Sequence, residues 1–261
     1  MNTSKIKKFR IIKYKNTVKP SLKIKNVSKS FNGVPVLSGL NLSIFPGSIN
    51  GLLGENGSGK TTLFNLILGI LEVDNGEVFA KGSNLINSMP IHERCKKFRI
   101  SYVPQKESLF QGLSCEDNIK GLCEINMTDS RKINETCDRL LTEFSLLDVK
   151  KIKANDLSGG QKKKLSIARA LIGDPEVLLL DEIFAALSPK TIDSIKNILV
   201  NLQTSRKNIS ILISDHIYQH ILDISDKIHI LSDGEIIKSQ KPADIVKDTS
   251  AIKAYFGDSY R

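Results

Sequence analysis

The chain has 261 residues, of which 40% are hydrophobic and 25% are charged. This composition excludes a disordered or fibrous protein, and the length suffices for one large core or two modest ones. No apolar stretch approaches the roughly 18 residues that cross a bilayer, and the N-terminus lacks the apolar segment of a secretory signal. We therefore expect a cytoplasmic protein, and we expect its four cysteines, which lack metal-ligand spacing, to be free thiols.

The net charge of +10 is concentrated at the N-terminus. Residues 1–20 contain seven Lys and Arg and no acidic residue, which leaves +3 for residues 21–261. We predict a basic tail over 1–20, followed by a single domain. Two interpretations of the tail stay open: a solvated extension, or a segment attracted to anionic lipid headgroups. Nucleic acid is not an expected partner, because Phe9 and Tyr14 are too few aromatic residues for a stacking platform.

A glycine-rich loop with the pattern G-x-x-x-x-G-K-[ST] is the most informative segment. Its glycines let backbone N–H groups approach a polyphosphate, its lysine neutralises β- and γ-phosphate oxygens, and its threonine hydroxyl ligates Mg²⁺. The loop therefore predicts binding of a nucleoside triphosphate. The predicted binding residues are Gly54, Glu55, Asn56, Gly57, Ser58, Gly59, Lys60, Thr61 and Thr62.

The segments on both sides of this loop support the prediction. A short apolar run at 48–53 predicts a strand that enters the loop, although Asn50 needs a buried hydrogen-bond partner that the sequence does not reveal. Apolar residues at helical spacing predict a helix that leaves the loop. The residues on its inward face are Leu63, Leu66, Ile67 and Ile70.

Two further predicted strands end in polar residues. An apolar run at 177–180 ends in Asp181 and Glu182, as expected for a strand buried on both faces whose carboxyl end reaches a functional edge. Because the same chain contains the glycine-rich phosphate-binding loop (P-loop), we expect Asp181 to bind Mg²⁺ or its water ligands. We expect Glu182 to polarise the attacking water. The strand at 209–213 is followed by His216, which we expect to contact the γ-phosphate at the same edge.

A second string, Leu-Ser-Gly-Gly-Gln, occupies residues 157–161. It precedes a helix predicted from apolar residues between 165 and 172. Ser158 is a favourable N-cap residue, and the two glycines after it leave the N–H groups of the first turn exposed. The start of this helix therefore suits an anion.

Together these strings resemble those of the ATP-binding cassette (ABC) transporter ATPases, over about residues 21–261. The resemblance implies an α/β P-loop fold of ABC type, with a mixed sheet core flanked by helices and a helical subdomain inserted at about residues 107–168. It implies ATP and Mg²⁺ as the bound groups. It also implies a homodimer that closes head to tail, so that Ser158, Gly160 and Gln161 of one chain complete the ATP site of the other.

Four more residues can be compared with those that the family has at the same positions. Phe31 matches the aromatic residue that stacks on adenine, and Gln105 matches the glutamine that links Mg²⁺ and the attacking water to the transporter contact. Ser188 stands where the family usually has Asp, and Ile183 stands where it usually has Pro. These two departures leave open how the two ATP sites communicate. Hydrolysis is still expected, because the catalytic glutamate and histidine are both present.

The segment between the two strings favours a transporter subunit within this family. An amphipathic helix is predicted at about 136–147, with Leu140, Leu141, Phe144 and Leu147 facing inward. This helix suits a compact helical subdomain. Neither the long coiled coil of DNA-repair cassettes nor the second P-loop of translational and resistance types is visible.

The cargo and the partners are implied by resemblance to the lipopolysaccharide-export branch of the family. It implies two transmembrane permease subunits, which dock beside Phe110 and Gln111 at the cytoplasmic face of the inner membrane. A place for Phe110 in the core stays open. The stretches that carry this resemblance are residues 104–114, the dyad Asp215-His216, and residues 254–261.

Two other functions stay open. The first is the ATPase subunit of a branched-chain amino-acid importer, which shares a Tyr-x-Gly ending and more often lacks Asp at the position of Ser188. The second belongs to another class, a scaffold that binds ATP without hydrolysing it. The intact Glu182 argues against the scaffold, and we prefer lipopolysaccharide export to import.

Overall fold

The structure is a computed structural model that describes residues 18–248. The predicted basic tail up to residue 17, and the ending at 254–261, lie outside the described residues. The described strands, β1 to β10 in chain order, are Leu22–Phe31, Val34–Ile44, Ile49–Leu53, Asn75–Ala80, Asn84–Leu85, Ile100–Val103, Val177–Asp181, Ser210–Ser214, Lys227–Ser232 and Glu235–Gln240. The described α-helices, α1 to α8, are Lys60–Leu68, Ile91–Phe98, Cys115–Asn126, Ser130–Glu143, Gly159–Ala170, Pro189–Ser205, Tyr218–Leu222 and Pro242–Ile245.

The strands form two sheets. The larger sheet has the order β10-β9-β3-β8-β7-β6, in which β10 is antiparallel to β9 and the other neighbours are parallel. This mixed sheet agrees with the predicted α/β fold. The smaller sheet, with the order β2-β1-β4-β5, is antiparallel throughout and has no counterpart in the sequence prediction.

The two faces of the larger sheet belong to different cores. Leu178 and Leu180 of β7 pack into a core with α3 to α6, whereas Val177 and Leu179 pack with α1 and the antiparallel sheet. Every residue of β3, β7 and β8 is buried, because helices or the second sheet cover both faces. The larger sheet is therefore the central layer, and its carboxyl-end edge carries the predicted site residues.

Two inward-facing positions predicted from the sequence are wrong. Gly69 ends α1 in the left-handed conformation, with φ of 78°, so Ile70 lies beyond the helix and is 54% exposed. Helix α4 ends at Glu143, and Leu147 lies in the following 3₁₀ turn with 42% of its surface exposed. The other helix-facing residues predicted there are buried.

The helices α3, α4 and α5 lie in or close to the interval predicted for a helical subdomain, whose boundaries stay a prediction. Of the helices in the described part of the chain, none has the length and apolar character needed to cross a membrane.

Asn50, the polar residue in β3, belongs to a chain of hydrogen bonds with a fixed direction. Its amide nitrogen donates to Ser48 Oγ over 2.8 Å, and this hydroxyl donates to the Phe45 carbonyl over 2.6 Å. The Asn50 oxygen therefore accepts from His229 Nε2 at 3.3 Å, and His229 Nδ1 accepts from Ser239 Oγ at 2.7 Å. This chain satisfies the buried amide and fixes one neutral tautomer of His229.

We predict that His229→Gln removes part of the loss of stability in acid. Burial, assisted by the positive charge of Lys227, lowers the pKa of His229 to about 3. Below about pH 6.5 His229 binds a proton in the unfolded state but not in the folded state. The free energy of unfolding is therefore lower by about 2 kcal/mol at pH 5. Glutamine does not titrate, so urea unfolding of the variant should show a smaller loss between pH 7 and pH 5.

The matched control is His92→Gln, which removes an exposed histidine of α2. It should keep the pH dependence of the parent chain. If His229→Gln loses as much stability as the parent between the two pH values, the buried neutral histidine is not the cause.

Candidate nucleotide site

The glycine-rich loop joins β3 to α1 and is shaped to accept a polyphosphate. A Cβ on Gly54 would lie 2.5 Å from Ser58 Oγ and 2.6 Å from the Leu231 carbonyl oxygen, so a side chain does not fit there. Gly57 and Gly59 have φ of 83° and 103°, in the region that glycine adopts without strain. The loop backbone can therefore approach a ligand closely.

Lys60 lies inside this loop. Its Nζ donates to the carbonyl oxygens of Gly54 at 2.7 Å and of Glu55 at 2.8 Å. Burial lowers the pKa of Lys60, and the negative charges of Glu182, Asp181 and Asp215 oppose that shift. The ammonium group is therefore poorly solvated and held at the centre of the site.

The Asp181 carboxylate joins four elements at the edge of the sheet. Its Oδ2 accepts hydrogen bonds from Thr61 Oγ1 at 2.9 Å and from Tyr102 OH at 3.3 Å, and its Oδ1 accepts from Ser214 Oγ at 2.6 Å. Burial raises the pKa of Tyr102, and the nearby Asp181 charge raises it further. Tyr102 therefore stays a hydrogen-bond donor.

Glu182 follows directly and lies within reach of Gln105. The Gln105 Nε2 donates to Glu182 Oε2 over 2.6 Å, although the two residues follow different strands. Glu182 has φ of 47°, in the left-handed region, and its N–H donates to the Ser214 carbonyl oxygen over 3.0 Å. This backbone conformation turns the chain sharply after β7 and is uncommon for a residue other than glycine.

Asp215 connects the two loops that follow β7 and β8. This fully buried carboxylate accepts from the Phe184 N–H at 2.9 Å and from the Ile217 N–H at 3.0 Å. His216 lies beside it, with Nδ1 3.5 Å from Asp215 Oδ1 and about half of its side chain exposed. Asp215 therefore fixes where His216 emerges from the sheet.

The string at 157–161 forms the start of α5. Ser158 is the N-cap, and it forms a capping box with Gln161: the Gln161 N–H donates to Ser158 Oγ over 3.3 Å, and the Ser158 N–H donates to Gln161 Oε1 over 2.9 Å. Ser158 and Gly159 are exposed, and Gly160 is half-buried. This helix start is thus preformed and faces away from the core.

Two aromatic residues singled out in the sequence lie on the surface. Phe31 ends β1 and is 42% exposed, with the Lys29 ammonium 5.7 Å from the centre of its ring. Phe110 is 47% exposed, which excludes the core position that was left open for it.

These residues fit ATP and Mg²⁺. The Ser58 hydroxyl is buried with no hydrogen-bond partner among the described residues, and the Lys60 ammonium contacts backbone carbonyls that a phosphate can replace. Thr61 and Asp181 provide the hydroxyl and carboxylate oxygens that Mg²⁺ prefers. Tyr102, Ser214 and the positioning role of Asp215 were not predicted from the sequence. The Ser-Asp pair at the end of an apolar strand is the signal that indicates the last two.

The fold and the loop define a P-loop protein that binds a nucleoside triphosphate. The ABC transporter family matches residues 37–185, so the chain belongs to the ABC transporter family as an ATP-hydrolysing cassette domain. The predictions of family, fold and ATPase class are thereby confirmed.

Individual relatives agree with this family. The chain is 34% identical to the lipopolysaccharide export system ATP-binding protein LptB of Escherichia coli K12, covering 92% of this chain and 99% of that protein. It is 35% identical to a probable ABC transporter ATP-binding protein of Azorhizobium caulinodans, covering 94% of this chain and 86% of that protein. A dimeric structure of MJ0796, a bacterial ABC transporter cassette, has a TM-score of 0.76 at 27% identity and covers 85% of this chain and 98% of that one.

We predict that Asp215→Asn lowers the free energy of unfolding by about 2 kcal/mol. The carboxylate accepts from two backbone N–H groups, whereas an asparagine oxygen accepts from one and its amide faces the other. Urea unfolding at neutral pH measures the loss. Asp138→Asn, which changes an exposed aspartate of α4, should leave the unfolding free energy within about 0.5 kcal/mol of the parent. A similar small change for Asp215→Asn would contradict the assigned contacts.

Proposed function

We propose that the chain is the ATP-hydrolysing subunit of a lipopolysaccharide transporter and acts as a homodimer on the cytoplasmic face of the inner membrane. The observation that carries the hydrolytic role is the 2.6 Å contact between Gln105 and Glu182, beside the Asp181 carboxylate that holds Thr61. The cargo is supported by the similarity to relatives that are named for lipopolysaccharide export.

In this proposal the loop residues 54–62 bind the phosphates of ATP through their backbone N–H groups. Lys60 exchanges its two carbonyl partners for β- and γ-phosphate oxygens, which relieves the cost of its burial. Phe31 stacks its exposed ring on adenine.

Mg²⁺ would be held by Thr61, Asp181 and Gln105. Bound Mg²⁺ neutralises charge on the β- and γ-phosphate oxygens. Tyr102 and Ser214 orient the Asp181 carboxylate through hydrogen bonds from their hydroxyl groups.

Glu182 would polarise the water that attacks the γ-phosphorus, while the bond to the bridging oxygen of ADP breaks. Gln105 donates a hydrogen bond to the Glu182 carboxylate and so orients it. His216, held by Asp215 at the sheet edge, donates to a γ-phosphate oxygen.

The second half of each site would come from the partner chain. Ser158, Gly160 and Gln161 lie at a preformed helix start whose N–H groups and positive dipole end suit the γ-phosphate. ABC ATPases dimerise, and the similarity to a dimeric cassette structure supports this arrangement. ATP therefore favours the closed dimer and ADP the open one, which lets the cycle move its membrane partners.

We predict that Glu182→Gln lowers ATP turnover by about 10²-fold or more while ATP binding is retained, because glutamine cannot polarise the water. The measurement is phosphate release together with ATP affinity. Glu235→Gln, which changes an exposed glutamate of β10, should keep parental turnover. If turnover of Glu182→Gln equals that of the parent, the catalytic assignment is wrong. If neither chain hydrolyses ATP, the non-hydrolysing scaffold is the better description.

The proposed docking surface for the permeases is centred on Phe110 and Gln111. Phe110 presents an exposed ring, and the Arg169 guanidinium lies 4.7 Å from its centre. The buried Asn118 side chain accepts from the Phe110 N–H at 2.9 Å and donates to its carbonyl oxygen at 3.0 Å. Because Asn118 holds the backbone of Phe110 in place, its exposed ring can contact a partner protein at little cost in conformational entropy. We further propose that residues 107–168 form the subdomain bearing this surface, and that the tail at 1–20 adds membrane affinity.

We predict that Phe110→Ala weakens permease capture by about tenfold, the scale on which an aromatic anchor contributes to an interface. The tagged chain is purified from its native membranes in mild detergent, and the copurified membrane proteins are identified and quantified. Ile125→Ala, which truncates an apolar residue of α3 that is 76% exposed, is the control and should capture as the parent does. Permeases purified with lipopolysaccharide support export, whereas amino-acid permeases support the importer.

A further inference from the structure

The start of α5 packs against α6 of its own chain. A Cβ on Gly160 would lie 2.6 Å from Thr191 Cγ2 and 3.0 Å from Thr191 Oγ1. Such distances leave no room for a side chain at position 160 while Thr191 keeps its place. Gly160 therefore has a packing role within its own chain, separate from any contact with the ATP of the partner.

Thr191 is also linked to the segment that begins at the catalytic glutamate. Its hydroxyl lies 2.9 Å from Ser188 Oγ, and its N–H donates to the same oxygen over 3.4 Å. Ser188 is the N-cap of α6 and ends the loop that starts at Glu182. Phe184, in the same loop, is fully buried and donates its N–H to Asp215.

These contacts form a continuous path inside one chain. It runs from the Asp215 carboxylate through the Glu182–Ser188 loop to Thr191, and from there to Gly160. One end lies at the residues proposed to act on the γ-phosphate. The other end lies at the helix start that is proposed to complete the site of the partner.

Building on the proposed dimer, we propose that Thr191 is a positioning residue that couples the Glu182 loop to the Gly160 helix start of the same chain. A change of the loop on hydrolysis then moves the half-site that this chain gives to its partner. The link between Ser188 and Thr191 joins two neutral hydroxyls, so the coupling does not need the carboxylate that the family usually has at position 188. The first turn of α6, which contains Thr191, is the element whose position depends on both the Glu182 loop and the Gly160 helix start.

The test separates the two contacts of Thr191 in a Glu182→Gln background. Thr191→Val keeps a methyl group against Gly160 but removes the hydroxyl link to Ser188, whereas Thr191→Ser keeps the hydroxyl and removes Cγ2. Light scattering gives the ATP concentration at which half of the protein is dimeric. We expect Thr191→Val to raise it about fivefold, the scale of one neutral hydrogen bond, and Thr191→Ser to lie between Val and the parent. ATP affinity of the monomer should not change.

Thr204→Val is the matched control, because it removes the hydroxyl of an exposed threonine near the other end of the same helix. It should dimerise at the ATP concentration of the background chain. Equal ATP requirements for Thr191→Val and Thr204→Val would overturn the inference.

A rescue experiment tests the packing step. Gly160→Ala should raise the ATP requirement for dimerisation, because the new methyl group collides with Thr191. Adding Thr191→Ser removes Cγ2, the nearer colliding atom, and keeps the hydroxyl link to Ser188, so it should lower the requirement below that of Gly160→Ala alone. If the second substitution gives no rescue, the glycine serves only the partner's nucleotide and the inference is overturned.

Failure of the proposed dimer gives a different result. If the Glu182→Gln background stays monomeric with ATP, the head-to-tail arrangement is wrong and this inference is wrong with it. If the background dimerises and the Thr191 variants behave as the Thr204 control does, only the role of Thr191 is wrong.

Discussion

The buried Asp181 carboxylate is the interaction on which the site depends. Three hydroxyl groups donate to it, from Thr61 at the start of α1, Tyr102 on β6 and Ser214 at the end of β8. A buried charge is costly unless its hydrogen-bonding capacity is satisfied, so this carboxylate stabilises the approach of three elements to the end of β7. These three contacts also set the position of the next residue, Glu182.

The P-loop helix is fixed at both ends by cations, which explains how its first turn is held ready for phosphate. Lys60 is surrounded by loop carbonyls at the N-terminal end. At the other end Arg94, which is 2% exposed, donates through Nη1 to the carbonyl oxygens of Leu66 and Ile67 over 2.7 Å and 2.9 Å. A cation at the C-terminal carbonyls complements the helix dipole. These contacts restrict the motion of the loop and of the helix, which lowers the entropy lost on binding.

Structure could be predicted from the sequence where the residues that serve a function or a buried strand are neighbours in the chain. The P-loop, the apolar run of β7 and the capping string at α5 are each read within a few residues, and the fully buried strands follow from their apolar character. The antiparallel sheet was missed because β1 mixes polar and apolar residues without a clean alternation, and its pairing with β2 contains register shifts. Tyr102 was missed because its partner Asp181 is distant in the chain, and Thr191 because its packing against Gly160 forms only in the folded protein.

The two departures from the family pattern have physical explanations that differ from loss of function. Ile183 is fully buried, so its apolar side chain anchors the start of the loop in the core. Ser188 provides the N-cap of α6 and is followed by Pro189 in the first turn, a favourable combination for a helix start. Both residues therefore fit the loop that follows Glu182. What changes is the charge at position 188: the contact from Ser188 to Thr191 joins two neutral hydroxyl groups and involves no carboxylate.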